Sequence, residues 1–142
     1  MTPTRIEKMF RAFADPTRLR LLQAVRGDEL CVSDITQILR IPQAKASRHL
    51  IYLRQAGLVD CRRQGLWIFY RLSLPRSVFH RKLLECLEQC FVGVPGMVAD
   101  RRRAARLRKT GGCCPGIARN GTRSQERRTR SAVEGRASCV RA

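Results

Sequence analysis

No apolar run in this sequence exceeds five residues, whereas about 18–20 are needed to cross a bilayer, so no membrane span is expected. No secretory-type apolar stretch follows Met1 either, because Glu7 and Lys8 interrupt the N-terminal region; a cytoplasmic location is expected. Cysteines occur at positions 31, 61, 86, 90, 113, 114 and 139. An odd number without regular spacing is not a disulfide framework, and reduced thiols are the expectation. Acidic side chains are scarce, with 11 Asp and Glu against 29 Lys and Arg, a formal charge of +18. The excess is uneven, about +7 over residues 1–100 and +11 over residues 101–142. One domain with this imbalance favours a polyanionic partner. There is no Gly-rich anion loop after a strand, so no enzymatic pocket is evident.

What is present begins with a short amphipathic helix over about residues 4–13, carrying Met9, Phe10 and Phe13. Asp15-Pro16 then opens a second helix, an N-cap followed by the proline that suits the first helical position. Leu19, Leu22 and Val25 recur on it, with Leu21 alongside, until Gly27. Ile35, Ile38 and Leu39 predict a third helix over about 32–40. After Pro42, Ala46, Leu50 and Leu53 form the buried stripe of a fourth, ending before Gly57. The period then changes to two. Leu58–Arg63 and Leu66–Leu72 read as a hairpin turning at Gln64-Gly65, with Leu66, Ile68, Tyr70 and Leu72 on one face and Trp67, Phe69 and Arg71 on the other. Phe79, Leu83, Cys86, Leu87 and Cys90 mark a helix over about 76–91, and a basic helix over 97–109 is compatible with the pattern.

The expected fold is α+β and mostly helical, a winged helix-turn-helix with a two-stranded β-hairpin wing and flanking helices (the dimerisation helices, by the resemblance given below). Residues 1–92 would form the winged helix-turn-helix domain, 93–114 a basic segment with a cysteine pair, and 115–142 a disordered Arg-rich tail. The break Arg40-Ile41-Pro42 fits the turn of the motif. With Ala46, Leu50 and Leu53 inward, the polar N-terminal part of the fourth helix is free to enter a major groove. Arg48 suits guanine and Gln43 adenine, while Lys45 and Ser47 suit phosphates. His49 borders the buried stripe and is read first as a packed histidine, with a DNA contact as the alternative. Arg62, Arg63 and Gln64 form a basic wing tip for phosphates or the minor groove.

These stretches resemble the ArsR/SmtB metalloregulators, in particular the arsenical-sensing repressors. The matching segments are Ala14-Asp15-Pro16-Thr17-Arg18-Leu19, Glu29-Leu30-Cys31-Val32-Ser33-Asp34-Ile35 and Pro42-Gln43-Ala44-Lys45-Ala46-Ser47-Arg48-His49-Leu50. They continue through Leu53-Arg54-Gln55-Ala56-Gly57-Leu58-Val59 and Arg63-Gln64-Gly65-Leu66-Trp67. Over about residues 5–92 the resemblance implies a homodimeric repressor on a dyad-symmetric operator, released by an inducer. It implies a dimer seam along residues 76–91 and the first helix.

Arsenical sensors commonly begin the third helix with Cys-Val-Cys-Asp-Leu, where this chain has Cys31-Val32-Ser33-Asp34-Ile35. A serine hydroxyl is a poor soft-metal ligand, so trivalent arsenic or antimony needs thiolates from elsewhere. Cys113-Cys114 are the expected partners of Cys31, because adjacent thiols would make a strained disulfide yet can chelate one soft ion. The basic run 101–109 favours their thiolates. Cys139 in place of Cys31 is the runner-up, and Cys86, Cys90 and Cys61 are read as structural or packing residues. Zinc is disfavoured, since His80, Glu85 and Glu88 lack the spacing of the family's zinc sensors. Competing readings are a thiol-redox repressor of the same fold, a thiol-dependent arsenate reductase, and a sequence-independent nucleic-acid coat protein.

Overall fold

A computed structural model describes residues 1–27 and 29–112. The elements follow in the order α1 (Pro3–Phe13), α2 (Pro16–Gly27), β1 (Leu30–Cys31), α3 (Val32–Leu39), α4 (Gln43–Gln55), β2 (Val59–Gln64), β3 (Trp67–Leu72), α5 (Val78–Cys90) and α6 (Pro95–Lys109). Helices α1, α2 and α5 start where side chains satisfy the first amides. Thr2 accepts from the Arg5 amide, the Asp15 carboxylate from the Arg18 amide, and Ser77 from the His80 amide. Pro3 and Pro16 occupy first helical positions, where no donor is lost.

The sheet is antiparallel, ordered β1-β3-β2. The hairpin was expected as two strands; Leu30 and Cys31 add a third by pairing with Tyr70 and Phe69. The turn also moves by one residue. Gln64 pairs with Trp67, leaving Gly65-Leu66 as the two-residue loop, with Gly65 at φ 61 in its first position.

Met9, Leu21, Leu22, Ile35, Ile38, Leu39, Leu50, Leu53, Leu58 and Leu87 fill the core. The stripe Ala46, Leu50 and Leu53 is fully buried, as the spacing requires. Phe69 lies on the hairpin face opposite Ile68, Tyr70 and Leu72, yet it too is buried, with the Arg62 guanidinium 4.7 Å above its ring. The basic helix that the pattern allows over 97–109 forms, starting two residues earlier at Pro95, and its Met97, Asp100 and Ala104 face inward. Cys90 is exposed and Cys86 half-buried, which corrects their reading as packing residues.

Gly57 ends α4 at φ 78, with the Arg5 guanidinium 3.2 Å from where a Cβ would stand. Gly57→Ala is therefore expected to cost about 1–2 kcal/mol, lowering the thermal midpoint by several degrees in a calorimetric scan.

Candidate nucleic-acid interface

The helix-turn-helix is α3, residues 40–42 and α4. Arg40 closes α3 in the left-handed region at φ 54, turning the chain sharply, and Pro42 leads into α4. The last carbonyls of α3 are satisfied from outside the motif. Arg20 on α2 donates to Leu39 O at 2.7 Å, and Arg103 on α6 donates to Ile38 O. Both arginines also hold Asp100, which is 3% exposed: Arg20 through two bonds of 2.8 Å, Arg103 through one of 2.6 Å. The Asp100 bond holds the Arg20 guanidinium above its ordinary pKa against the effect of burial. Helix α6 thus braces the turn through an ion-pair cluster that links residues 80 positions apart.

With its stripe buried, α4 turns Gln43, Ala44 and Arg48 to solvent, while Lys45 and Ser47 are half-buried on its flanks. His49 is half-buried near Asp15 and Arg18. Burial pushes its imidazole below the ordinary value; Asp15 opposes this, and Arg18, Lys45 and Arg48 add to it. A half-covered ring fits the packed reading of His49. Arg18 in turn lies 4.3 Å over the Tyr52 ring.

The wing differs from expectation at one residue. Arg62 is not a tip cation: its Nε donates to Glu29 at 2.7 Å, Nη1 donates to Gln64 Oε1, and its plane covers Phe69. Glu29 also pairs with Arg71 at 3.3 Å, so this arginine ties the wing's base to the chain entering β1. Arg63 and Gln64 remain exposed near the tip, with Leu66 and Trp67 beside them. Between α4 and the wing runs a cleft of about 620 Å³, lined by Gln43, Ser47, Ile51, Arg54, Trp67 and Tyr70 among others. Sequence reasoning missed Arg54 and Trp67 here. The signal was available, since Gln43, Ser47, Ile51 and Arg54 follow helical spacing.

Cys31 lies at the floor of this region, 1% exposed. Its sulfur is the N-cap acceptor for the Asp34 amide at 3.4 Å, while its backbone pairs with Phe69. One residue therefore joins α3 to the wing. Ser33 lines the same cleft. Cys113, Cys114 and Cys139 lie outside the described residues. Among the described residues no group of three or more Cys, His, Asp or Glu forms a metal cluster. Cys61 is disulfide-bonded, against the expectation of reduced thiols throughout.

An exposed cationic helix after a tight turn, with a sheet-borne wing alongside, defines a winged-helix DNA-binding protein. Residues 15–60 match the family model described as bacterial regulatory protein, arsR family. The chain belongs to the ArsR family. It is 38% identical over 84 residues to the arsenical resistance operon repressor of Escherichia coli, covering 58% of this chain and 72% of that protein. To the arsenic resistance transcriptional regulator ArsR1 of Pseudomonas putida it is 48% identical over 65 residues, 45% of this chain and about half (51%) of the relative. Among solved structures, HlyU from Vibrio cholerae superposes with a TM-score of 0.54 at 30% identity, covering 62% of this chain and 92% of that one. Among the described residues no helix is long and apolar enough to cross a membrane.

Proposed function

We propose that the protein is a transcriptional repressor that binds operator DNA as a homodimer and is released by trivalent arsenic or antimony on cysteine thiolates. The observation that carries the DNA-binding half is the exposure of Gln43 and Arg48 on a helix whose opposite face is fully buried. Arg48 reads a base edge, Gln43 assists it, and Lys45, Ser47, Arg63 and Gln64 hold phosphates; His49 and Arg62 support the reading helix and wing rather than touching DNA. Arg48→Ala is expected to weaken operator binding about 5–100-fold and to relax specificity at one base pair. Lys45→Ala should weaken binding to all sequences alike and reduce the salt slope by about one. Fluorescence anisotropy over a salt series separates the two.

The names of the relatives and the position of Cys31 support the inducer half. Cys31 alone offers too few thiols for arsenite, and Ser33 adds none, so Cys113 and Cys114 complete the set. A metalloid on Cys31 removes the acceptor that caps α3 and strains the strand pair with Phe69, so both α4 and the wing feel it. Only a ligand that favours one dimer geometry shifts the population, and a 100-fold loss of DNA affinity needs about 2.7 kcal/mol of coupling. Titrating arsenite into the reduced protein on labelled operator tests this. Release in the wild type, and none in the Cys31→Ser/Cys113→Ser/Cys114→Ser variant at the same arsenite, is the expected pair of results. Release of that variant at wild-type arsenite would remove the site.

A second reading is a thiol-redox repressor, favoured by the disulfide at Cys61. Release by peroxide that dithiothreitol reverses, with no response to arsenite, selects it.

A further inference from the structure

We propose that Arg102, Arg106 and Lys109 on α6 form a second grip on DNA, holding backbone phosphates beside the groove that α4 enters. Residues 95–109 carry six cations, and these divide by face. Arg101 donates to Val92 O at 2.6 Å, Arg103 holds Ile38 O and Asp100, and the Arg108 guanidinium lies 3.1 Å from where a Cβ on Gly27 would stand. Arg102, Arg106 and Lys109 are exposed, and steps of four and three residues set them in one stripe. At about 100° per residue, Asp100 and Arg108 mark the side of α6 that faces α2, and Arg103 the side that faces α3. The stripe follows directly beyond Arg103, on the flank away from α2.

Helix α6 runs along α3. At one end Arg20 bonds both Asp100 and Leu39 O, where α3 closes; at the other Arg108 meets Gly27, just before the chain enters β1 and α3. The first helix of a helix-turn-helix crosses the DNA backbone while the second enters the groove. A cationic stripe flanking α3 therefore lies beside phosphates rather than bases. Arg40, two residues after the carbonyl that Arg103 holds, is exposed and carries the positive surface on toward Lys45 and Arg48. The only carboxylates in residues 32–55 and 95–109 are Asp34 and Asp100, both buried, so no acidic group on these elements faces outward to repel a phosphate. Arg102 to Lys109 span about 10 Å of helix axis, or about three base-pair steps of 3.4 Å along one strand. Two-fold pairing of this face with a second copy would set like charges together, so the occupant is a polyanion, and duplex DNA is the one that α4 brings alongside.

This grip rests on α4 reading a half-site as proposed above, and it is independent of any inducer. The test compares the full-length protein with its Arg102→Gln/Arg106→Gln/Lys109→Gln variant on the operator duplex, by fluorescence anisotropy over a salt series. Each phosphate contact contributes about 0.9 to the slope of log affinity against log salt. The variant is expected to bind at least tenfold more weakly at 50 mM salt, with a slope shallower by about 2–3 per protomer. Phosphate contacts carry no base information, so the ratio of operator to single-base-pair mutant affinity should stay within twofold of the wild type. Ethylation of single phosphates locates the contact: at least two positions per half-site should impair the wild type and leave the variant indifferent. Circular dichroism should show the same helix content in both, since the three side chains are exposed. An unchanged salt slope, a loss of base discrimination, or identical ethylation patterns in the two proteins would each overturn the proposal. A wild type that binds operator and random duplex alike would instead remove the operator reading, and this grip with it.

Discussion

Asp100→Ala is expected to lower the free energy of unfolding by about 2–3 kcal/mol, the largest stability effect anticipated for a polar residue in this chain. Asp100 is 3% exposed and is shared by Arg20 and Arg103. Removing one partner of a buried pair typically costs about 3–5 kcal/mol, because the remaining charge stays partly desolvated. The two arginine side chains are 26% and 23% exposed, so water recovers part of that loss and the lower figure applies. Urea denaturation is the measurement, with a lower midpoint and an unchanged slope as the expected result. Lys82→Ala, which breaks only the exposed pair with Glu85, should stay within about 0.5 kcal/mol. The effect should also reach the DNA. Arg20 and Arg103 cap Leu39 and Ile38 at the end of α3, so loosening them frees the turn that aims α4. Operator affinity should therefore fall in Asp100→Ala even where the protein is fully folded. A midpoint equal to that of the wild type would show that the cluster carries no net stability.

Local rules made most of the scaffold legible. Period and capping located α2, α3 and α4, because Asp15-Pro16, Gly27, Pro42 and Gly57 punctuate apolar runs of helical spacing. The buried stripe of α4 followed from the same spacing, and with it the outward Arg48. What escaped depends on partners distant in sequence. Leu30 and Cys31 form a strand only because β3 offers an edge, and two residues carry no alternation to detect. Arg62 looked like a free wing cation until Glu29, 33 residues earlier, claimed it. Phe69 alternates onto the face opposite Tyr70, yet the Arg62 guanidinium covers it. In α6 the arginines dominate the composition, and nothing local distinguishes Arg103, which caps α3, from Arg102, which is exposed. The DNA-facing side was readable because exposure is a property of one helix. The ion-pair brace and the floor of the wing cleft were not, since they are properties of several elements at once.

Phe10→Arg is expected to turn the protein into a monomer and to weaken operator binding at least 100-fold. Phe10 is 55% exposed, and its ring meets Phe79 edge-to-face at 5.2 Å. Met1 and Val78 are also exposed, at 54% and 64%, and Met1 reaches Ser77 at the start of α5. Large apolar groups gathered in this way on a small basic protein mark a surface that another molecule covers. In the proposed dimer that molecule is a second copy. A two-fold seam is self-complementary, so each substituted copy brings an arginine to the same patch and the two charges repel. The loss within one protomer is small by comparison, about 1 kcal/mol for the ring pair, so circular dichroism should remain that of a folded chain. The effect on DNA follows from linkage of the two half-sites. A dimer presents its second recognition helix at an effective concentration in the millimolar range, and a monomer forfeits that gain. The added positive charge makes the prediction sharper, because on electrostatics alone it would strengthen binding to DNA. Sedimentation equilibrium and anisotropy on a full operator and on a single half-site check both parts. Affinity for the half-site should hold while affinity for the full site collapses toward it. A variant that still sediments as a dimer would place the seam elsewhere than on α1 and α5.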